Sequence, residues 1–303
     1  MDQEHKVNDL NNPIQKPLSD SQSKAWQKGN AKWWESNPMR YDWNEKLSYA
    51  KGSKEYFEEI DNRFFYSSNE FLPFKNTPFE KLINFESLKD KDVLEIGVGH
   101  GSHAQLIAPR CRSFTGIDLT NGAITMTRKR FEVFDISGNI LQMDAENMSI
   151  PDASIDWIWS WGVIHHSSNT NQILKEIHRI LRPGGQATIM VYHRSFWKYY
   201  IECGIFRGIF KGDWWKYKSL NKILQNSADG ALARFYTAKE FEQECAGLFS
   251  TSTSIAGQKN DLIPIPAGKI KYLINKILPN AIARLFTNSL QFGTFLIADL
   301  KKL

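Results

Sequence analysis

Three glycines and two carboxylates in the first half of the chain form the pattern with the clearest chemical meaning. An apolar run that ends at Glu95 leads into Gly97, Gly99 and Gly101, and a second apolar run ends at Asp118. Glycines after a strand let the backbone approach a ligand closely, and a carboxylate at the tip of the next strand can accept hydrogen bonds from a ribose. The pattern therefore predicts a site for a nucleoside-containing ligand.

The spacing of these glycines separates two kinds of nucleoside ligand. A dinucleotide loop has glycines at relative positions one, three and six. Here the third glycine is at position five, and Ser102 occupies position six. A carboxylate directly before the loop would repel a pyrophosphate, whereas it suits a ligand with an ammonium group and a sulfonium. On this motif alone, a glycine-rich turn that binds no ligand remains an alternative.

Further polar residues follow apolar runs downstream, and helical stretches such as Asn121–Phe134 separate these runs. Strands that alternate with helices at this spacing form βαβ units and a parallel sheet. In open parallel sheets the ligand crevice lies beyond the carboxyl ends of the strands. The polar residues expected at these ends are Glu95, Asp118, Asp144, His165, His166 and His193.

The stretch from about Lys91 to Val191 resembles the class I S-adenosylmethionine-dependent methyltransferases, especially the branch that methylates quinones, lipids and natural products. Five motifs carry the resemblance: Glu95-x-Gly97-x-Gly99-x-Gly101, Gly116-Ile117-Asp118, Met143-Asp144-Ala145-Glu146, Gly162-Val163-Ile164-His165-His166 and Leu181-Arg182-Pro183-Gly184-Gly185. The resemblance implies an α/β fold with a seven-stranded, mostly parallel Rossmann-like sheet and helices on both faces. It also implies an antiparallel last strand, an N-terminal helical cap and two inserted segments over the carboxyl edge of the strands.

The resemblance further implies which residues bind S-adenosylmethionine. These are Glu95, Gly97, Gly99, Gly101, Asp118, Leu119, Asp144, Ala145 and Trp161. The glycine loop would hold the methionine moiety, with Glu95 on its ammonium side and Trp161 lining the same end. Asp118 would accept hydrogen bonds from the ribose hydroxyls, and Asp144 would bind the adenine amino group. Without the other motifs, both aspartates could equally be helix N-caps.

Methyl transfer from a sulfonium requires alignment of the acceptor and exclusion of water, because the methyl carbon is already electrophilic. An oxygen or nitrogen acceptor that must lose a proton also needs a base with a pKa near neutrality, and histidine is the usual one. His166 and His193 are the two candidates, with His165 and Tyr192 behind them. The alternative is that His165 and His166 only shape the strand-to-helix turn. No metal site is predicted, because closely spaced cysteines and His-x-x-x-His are both missing from the sequence.

The regions around this core are interpreted from their composition and from the resemblance. The predicted units are a flexible N-terminal arm (1–22), an aromatic-rich helical cap (23–87), the cofactor-binding core (88–193), a substrate lid (194–236) and a segment that completes the sheet (237–303) with a second insertion at 257–288. Insertions after a strand that ends at the crevice would overhang that crevice. The two insertions are therefore expected to bear on the choice of substrate.

The charge distribution indicates the kinds of partner to expect. Residues 194–303 contain 16 Lys and Arg against 8 Asp and Glu, while the whole chain carries +5. Basic residues among aromatic ones are typical of a solvated face, of a surface for anionic lipid, or of an RNA-binding face. We expect a small or amphiphilic acceptor, with a lipid at an anionic membrane as the second choice. RNA is third, because the positive excess is modest and no RNA-binding module is recognisable.

The sequence says less about the cellular location of the protein and about alternative functions. No apolar run approaches the roughly 20 residues that span a bilayer, and the N-terminus lacks a charged-then-apolar signal. The three cysteines fit reduced thiols, so a cytoplasmic location is expected. An RNA methyltransferase and a non-catalytic nucleoside-binding protein of the same fold remain alternatives. The acceptor, the methylated atom and the oligomeric state are left open.

Overall fold

A computed structural model describes residues 10–41, 46–265 and 268–303. Parts of three predicted units lie outside the described residues: residues 1–9 of the arm, 42–45 of the cap and 266–267 of the second insertion.

Strands and helices alternate through the middle of the chain. The strands are β1 Asp92–Ile96, β2 Ser113–Asp118, β3 Asn139–Gln142, β4 Ile155–Trp161, β5 Leu181–His193, β6 Phe235–Tyr236, β7 Phe249–Ala256 and β8 Phe295–Lys302. The α-helices are α1 Asp20–Ser36, α2 Lys54–Phe71, α3 Ser102–Ile107, α4 Asn121–Val133, α5 Thr170–Ile180, α6 Asp213–Tyr217, α7 Leu220–Gln225, α8 Ala238–Cys245, α9 Lys269–Ile277 and α10 Asn280–Arg284. Four short 3₁₀-helices are Phe85–Leu88, Ala108–Arg110, Ile164–His166 and Lys259–Leu262, and two π-helices are Trp197–Phe210 and Leu285–Ser289.

All strands belong to one sheet with the order β3-β2-β1-β4-β5-β8-β7. The pairs from β3 to β5 are parallel, and β8 is antiparallel to both β5 and β7. The predicted seven-stranded, mostly parallel sheet is therefore confirmed, with the two-residue β6 as an additional strand beside the end of β5. Parallel pairing brings the carboxyl ends of β1, β2, β4 and β5 to one edge, where the polar residues of the motifs collect.

Both faces of the sheet are covered by helices, as expected for a parallel sheet. Helix α5 buries Ile173, Leu174, Ile177 and Ile180 against one face, at the spacing of a single helical stripe. Helices α3 and α4 pack against the other face. Because β1 and β4 are buried on both sides, they hold the strand ends of the site in a rigid position.

Two N-terminal helices, α1 and α2, form a layer next to the carboxyl edge. The Glu35 carboxylate on α1 accepts hydrogen bonds from the Gly122 amide at 3.0 and 3.2 Å, where α4 begins. A carboxylate is favourable there, because the first amides of a helix lack partners within it. Before α1, Leu10 of the predicted arm is buried in a cluster with Trp26 and Leu232, whereas Leu18 is exposed.

A buried arginine joins the N-terminal segment, the end of the lid and the turn after β4. The Arg234 guanidinium donates to the carbonyls of Gln15 at 2.9 Å, of Ser168 at 2.5 Å and of Ser167. Burial lowers the pKa of Arg234, but three carbonyl partners on two segments accept hydrogen bonds from it. The lid therefore has a fixed anchor beside the site. Among the described residues, no helix combines the length and apolarity needed to cross a bilayer.

Candidate cofactor and acceptor site

The loop after β1 has a backbone that requires glycine. Gly97 has φ +82°, and a Cβ built on it would lie 2.2 Å from Cγ2 of Val163. Gly99 also has a positive φ, +53°, but a Cβ there would meet no atom within 4 Å. Gly101, with φ +80°, precedes α3 and packs against Thr127 of α4. The first glycine thus permits close packing, and the second leaves open space where a ligand can approach the backbone.

Asp118, at the end of β2, holds this loop from the side. Its Oδ2 accepts the Gly99 amide at 3.1 Å, and its Oδ1 accepts the amide and the hydroxyl of Thr120 at 2.9 and 2.8 Å. Burial raises the pKa of Asp118, although these three hydrogen bonds oppose the shift. A carboxylate has about four acceptor positions, so one remains for a ligand hydroxyl.

Glu95, at the end of β1, is the most informative side chain of the site. It is 2% exposed, and its Oε2 has no hydrogen-bond partner among the described residues. Burial and the nearby Asp118 charge raise the pKa of Glu95 well above its usual value, with Arg130 acting in the opposite direction. An unpartnered buried carboxylate is unfavourable, and a cationic ligand group in the cavity would relieve that penalty. The residues present therefore fit an ammonium or sulfonium group.

Asp144, which follows β3, contacts the cap helix α1. Its Oδ1 accepts the Gln27 side-chain amide at 2.9 Å and the Glu146 backbone amide at 2.9 Å. Gln27 lies on α1, and its Oε1 accepts the Ser168 amide at 3.1 Å. Asn30, one turn further along α1, lines the same cavity and has a buried Oδ1 with no partner among the described residues. The sequence did not predict Gln27 or Asn30, because a polar residue on a helix carries no motif.

One cavity of about 440 Å³ connects these groups, a size typical of small-molecule sites. The predicted residues that line it are Glu95, Gly97, Gly99, Asp118, Leu119, Asp144, Ala145, Trp161 and His166. The predicted Gly101 is not among the lining residues and packs against α4 instead. Trp161 is held by stacking on Trp159, with ring centroids 5.5 Å apart, and by an edge contact with Phe79 at 4.8 Å.

The structure separates the two candidate bases. His166 lines the cavity and its Nδ1 lies 2.7 Å from the Leu232 carbonyl, so the neutral ring donates from Nδ1 and has its lone pair on Nε2. His193 is buried outside the lining, with its Nδ1 2.8 Å from the Gly293 carbonyl. Burial also lowers the pKa of His193. The geometry therefore favours His166. His165 packs between the rings of His166 and Tyr192.

The two insertions bring charged groups to the cavity that the sequence did not single out. Lys198, on the first π-helix, lines the cavity with its Nζ 2.6 Å from Oε1 of Glu202. Asp261 also lines it, accepting the Gln258 amide at 2.9 Å and the Thr294 hydroxyl at 2.8 Å. Burial raises the pKa of Asp261 to about 6. Lys198 is the one cation in the run Phe196–Tyr200, which is the signal that could have identified it. No group of three metal-binding side chains occurs within the described ranges.

Comparison with known proteins identifies the class of the core. Residues 94–189 match the family described as a methyltransferase domain. A probable S-adenosylmethionine-dependent methyltransferase of Mycolicibacterium smegmatis is 38% identical over 96 residues, which are 31% of this chain and 35% of that protein. The fatty-acid O-methyltransferase of the same organism is 33% identical over 100 residues, 32% of this chain and 36% of that protein. The match thus spans about a third of each of these relatives.

The fold of the chain is also found in a solved structure. A solved structure of a S-adenosylmethionine-dependent methyltransferase from Methanosarcina mazei superposes with a TM-score of 0.50, covering 76% of this chain and 99% of that one at 15% identity. At this identity the likeness concerns the fold alone. The comparisons thus show a match to a methyltransferase domain over residues 94–189 and, around it, the fold of that solved structure.

Proposed function

We propose that the protein transfers a methyl group from S-adenosylmethionine to an oxygen or nitrogen of a small or amphiphilic acceptor. The observation that carries this proposal is that the glycine loop and the carboxylates of Glu95, Asp118 and Asp144 face one cavity, which continues beyond them. The bound cofactor supplies an electrophilic methyl group, so the protein has to bind, orient and exclude water.

Each part of the cofactor has a matching group. Glu95 and the Gly97–Gly99 backbone hold the cationic methionine end, which gives the buried Glu95 Oε2 its missing partner. Asp118 accepts a ribose hydroxyl at its remaining acceptor position, and Asp144 with the α1 residue Gln27 forms the adenine end. The cap helix α1 covers this end and keeps water out.

The rest of the cavity is the acceptor side. It is lined by apolar residues such as Phe71, Met190 and Phe295, while Lys198 and Asp261 add charge near them. An apolar wall with a few charged groups suits an amphiphile, and a cation there suits an acceptor with a carboxylate or another polar oxygen. The fatty-acid O-methyltransferase relative supports this class of acceptor.

His166 is the proposed base for an acceptor that must lose a proton. Its Nδ1 is held by the Leu232 carbonyl, so Nε2 is the basic nitrogen of the neutral ring, and the residue lines the cavity. His166→Gln should lower turnover with a smaller effect on cofactor affinity, measured by steady-state kinetics and calorimetry. Equal turnover of the variant and the wild type would remove the base role and point to an acceptor that is already ionised.

A labelling experiment tests the activity. The protein is incubated with methyl-labelled S-adenosylmethionine and an extract of its source cells, and the label is measured in the lipid, aqueous small-molecule and RNA fractions. Label in either of the first two fractions is expected. Label in RNA would favour an RNA methyltransferase, and no labelled product would favour a nucleoside-binding protein without catalysis.

Cofactor binding is tested separately by calorimetry on Asp118→Asn. The variant keeps one acceptor oxygen but loses the charge, so its affinity for S-adenosylmethionine should fall by about 1.5–3 kcal/mol, the usual range for hydrogen bonds to charged groups. Asp152→Asn is the matched control, because Asp152 has a 76% exposed side chain and lies outside the cavity lining. Unchanged affinity in the Asp118 variant would rule out the ribose role.

The cytoplasmic location remains a prediction from the sequence.

A further inference from the structure

Exposed apolar side chains are concentrated in the two insertions. Of the twenty large hydrophobic side chains that are exposed in the described part of the chain, fifteen lie between Phe196 and Leu290. Exposed apolar residues scattered singly over a surface need no explanation, whereas a concentration of this kind marks a binding surface. We call it the insertion surface; it is formed by the outer sides of the π-helix Trp197–Phe210, α6, α9 and α10.

Helix α9 shows the pattern most clearly. Ile270, Leu273, Ile274 and Ile277 are spaced as a single helical stripe, yet they are between 41% and 70% exposed, and none of the nine residues of α9 is buried. A helix of a globular protein normally turns such a stripe toward the core. Here the stripe is exposed among the described residues, so it is accessible to a binding partner.

The insertion surface is also basic. The segments 205–222 and 269–290 contain nine Lys and Arg and a single acidic residue, Asp213. Lys211, Lys216 and Lys218 are exposed next to Phe210 and Trp215, and Trp215 is 84% exposed. Apolar side chains bordered by lysines, with an exposed tryptophan, are typical of a surface that lies in the headgroup region of an anionic bilayer.

The insertion surface continues to the wall of the cavity. Lys198 lines the cavity from the same π-helix that exposes Ile209 and Phe210. Ring contacts run from Trp197 to Phe292 at 5.7 Å and on to Phe286 at 6.3 Å. These contacts join the π-helix to the segment after α10.

Helix α9 is tied to the same wall. The Lys259 Nζ donates to the Asn275 carbonyl of α9 at 3.0 Å, and Lys259 begins the 3₁₀-helix that contains the cavity residue Asp261. The apolar stripe and the acceptor side of the cavity are therefore neighbours.

We propose that the insertion surface docks on an anionic lipid bilayer. If the acceptor is an amphiphile, as the proposed function has it, docking places the cavity beside the membrane that contains it. Self-association through this surface is less favourable, because like charges would meet. Each copy would bring nine basic residues and a single acidic residue to the contact. A bilayer with anionic headgroups satisfies both the lysines and the apolar stripe.

Vesicle sedimentation tests this proposal. The full chain is mixed with phosphatidylcholine vesicles, or with vesicles that also contain phosphatidylglycerol, at low and high salt. We expect binding to the anionic vesicles that weakens as salt is added. Leu273→Glu combined with Ile277→Glu should lower the bound fraction at least roughly tenfold, because two anchors become anionic. Leu141→Glu is the control, because Leu141 is exposed but lies outside the insertion surface. It is on β3, which is the edge strand at the opposite end of the sheet from β7.

Three outcomes would overturn the proposal. The first is equal vesicle binding by the double variant and the wild type. The second is no binding to anionic vesicles at low salt. The third is a dimer in sedimentation analysis that the double variant abolishes, which would assign the surface to a second copy of the chain. S-adenosylmethionine affinity measured on the same samples shows whether the variant is folded, and it reports on the proposed function independently of vesicle binding.

Discussion

Alanine at Gly97 and alanine at Gly99 should damage the protein in different ways. Both glycines have a positive φ, which costs a residue with a Cβ about 1–2 kcal/mol. At Gly97 the new Cβ would also lie 2.2, 2.7 and 2.9 Å from Cγ2, Cγ1 and Cβ of Val163. Overpacking of this kind adds about 1–3 kcal/mol. The unfolding free energy should therefore fall by about 2–5 kcal/mol in Gly97→Ala and by only about 1–2 kcal/mol in Gly99→Ala.

The affinity for S-adenosylmethionine should respond more directly to the change at Gly99 than to the change at Gly97. The Gly99 Cβ would enter space that is open in the structure, so Gly99→Ala should weaken S-adenosylmethionine binding about tenfold or more while the fold is largely retained. Urea denaturation gives the stabilities, and calorimetry gives the affinities under conditions where each variant is folded.

Val163→Ala in the Gly97→Ala background isolates the steric part of the loss. It removes two of the three clashing atoms, so the double variant should recover stability relative to the sum of the single variants, with a coupling of about 0.5–3 kcal/mol. Strictly additive losses, or equal stabilities for the two glycine variants, would show that contact with Val163 is not what requires glycine at position 97.

Two further predictions concern the framework of the site. Arg234→Lys should lower the unfolding free energy by about 2–4 kcal/mol in urea denaturation, because one ammonium cannot bind all three carbonyls, which lie on two segments. A loss below about 0.5 kcal/mol would contradict this. Hydrogen bonds from Arg112, and further ones from Ser113 and Arg182, hold the pKa of Asp92 below its usual value. The Asp92 carboxylate therefore stabilises the fold at pH values above its pKa in the unfolded chain, about 3.9, and this stabilisation is lost as the pH falls. Asp92→Asn should cost about 1–3 kcal/mol at pH 7 and progressively less below pH 4, and a difference that is constant with pH would refute the assignment.

Local patterns in the sequence were sufficient for the core. The parallel part of the sheet and the placement of Glu95, Asp118 and Asp144 around one cavity follow from runs of apolar residues that end in particular polar ones, whereas the antiparallel last strand was implied by the family resemblance. Such information is local, because each strand carries its own functional residue at its carboxyl end and parallel pairing brings these ends together. The same patterns predicted a helix from Asn121, as found in α4.

Residues supplied by distant segments depend on the tertiary structure. Sequence reasoning gave His166 and His193 equal standing as bases, and only the fold shows that His166 lines the cavity while His193 pairs with the Gly293 carbonyl. Gln27 and Lys198 reach the site because helices far apart in the chain pack over one strand edge, which no motif encodes. A side chain's direction and its neighbours are set by long-range packing. The chain thus specifies the cofactor side through local chemistry, whereas the acceptor side is specified by how the insertions fold back over the sheet.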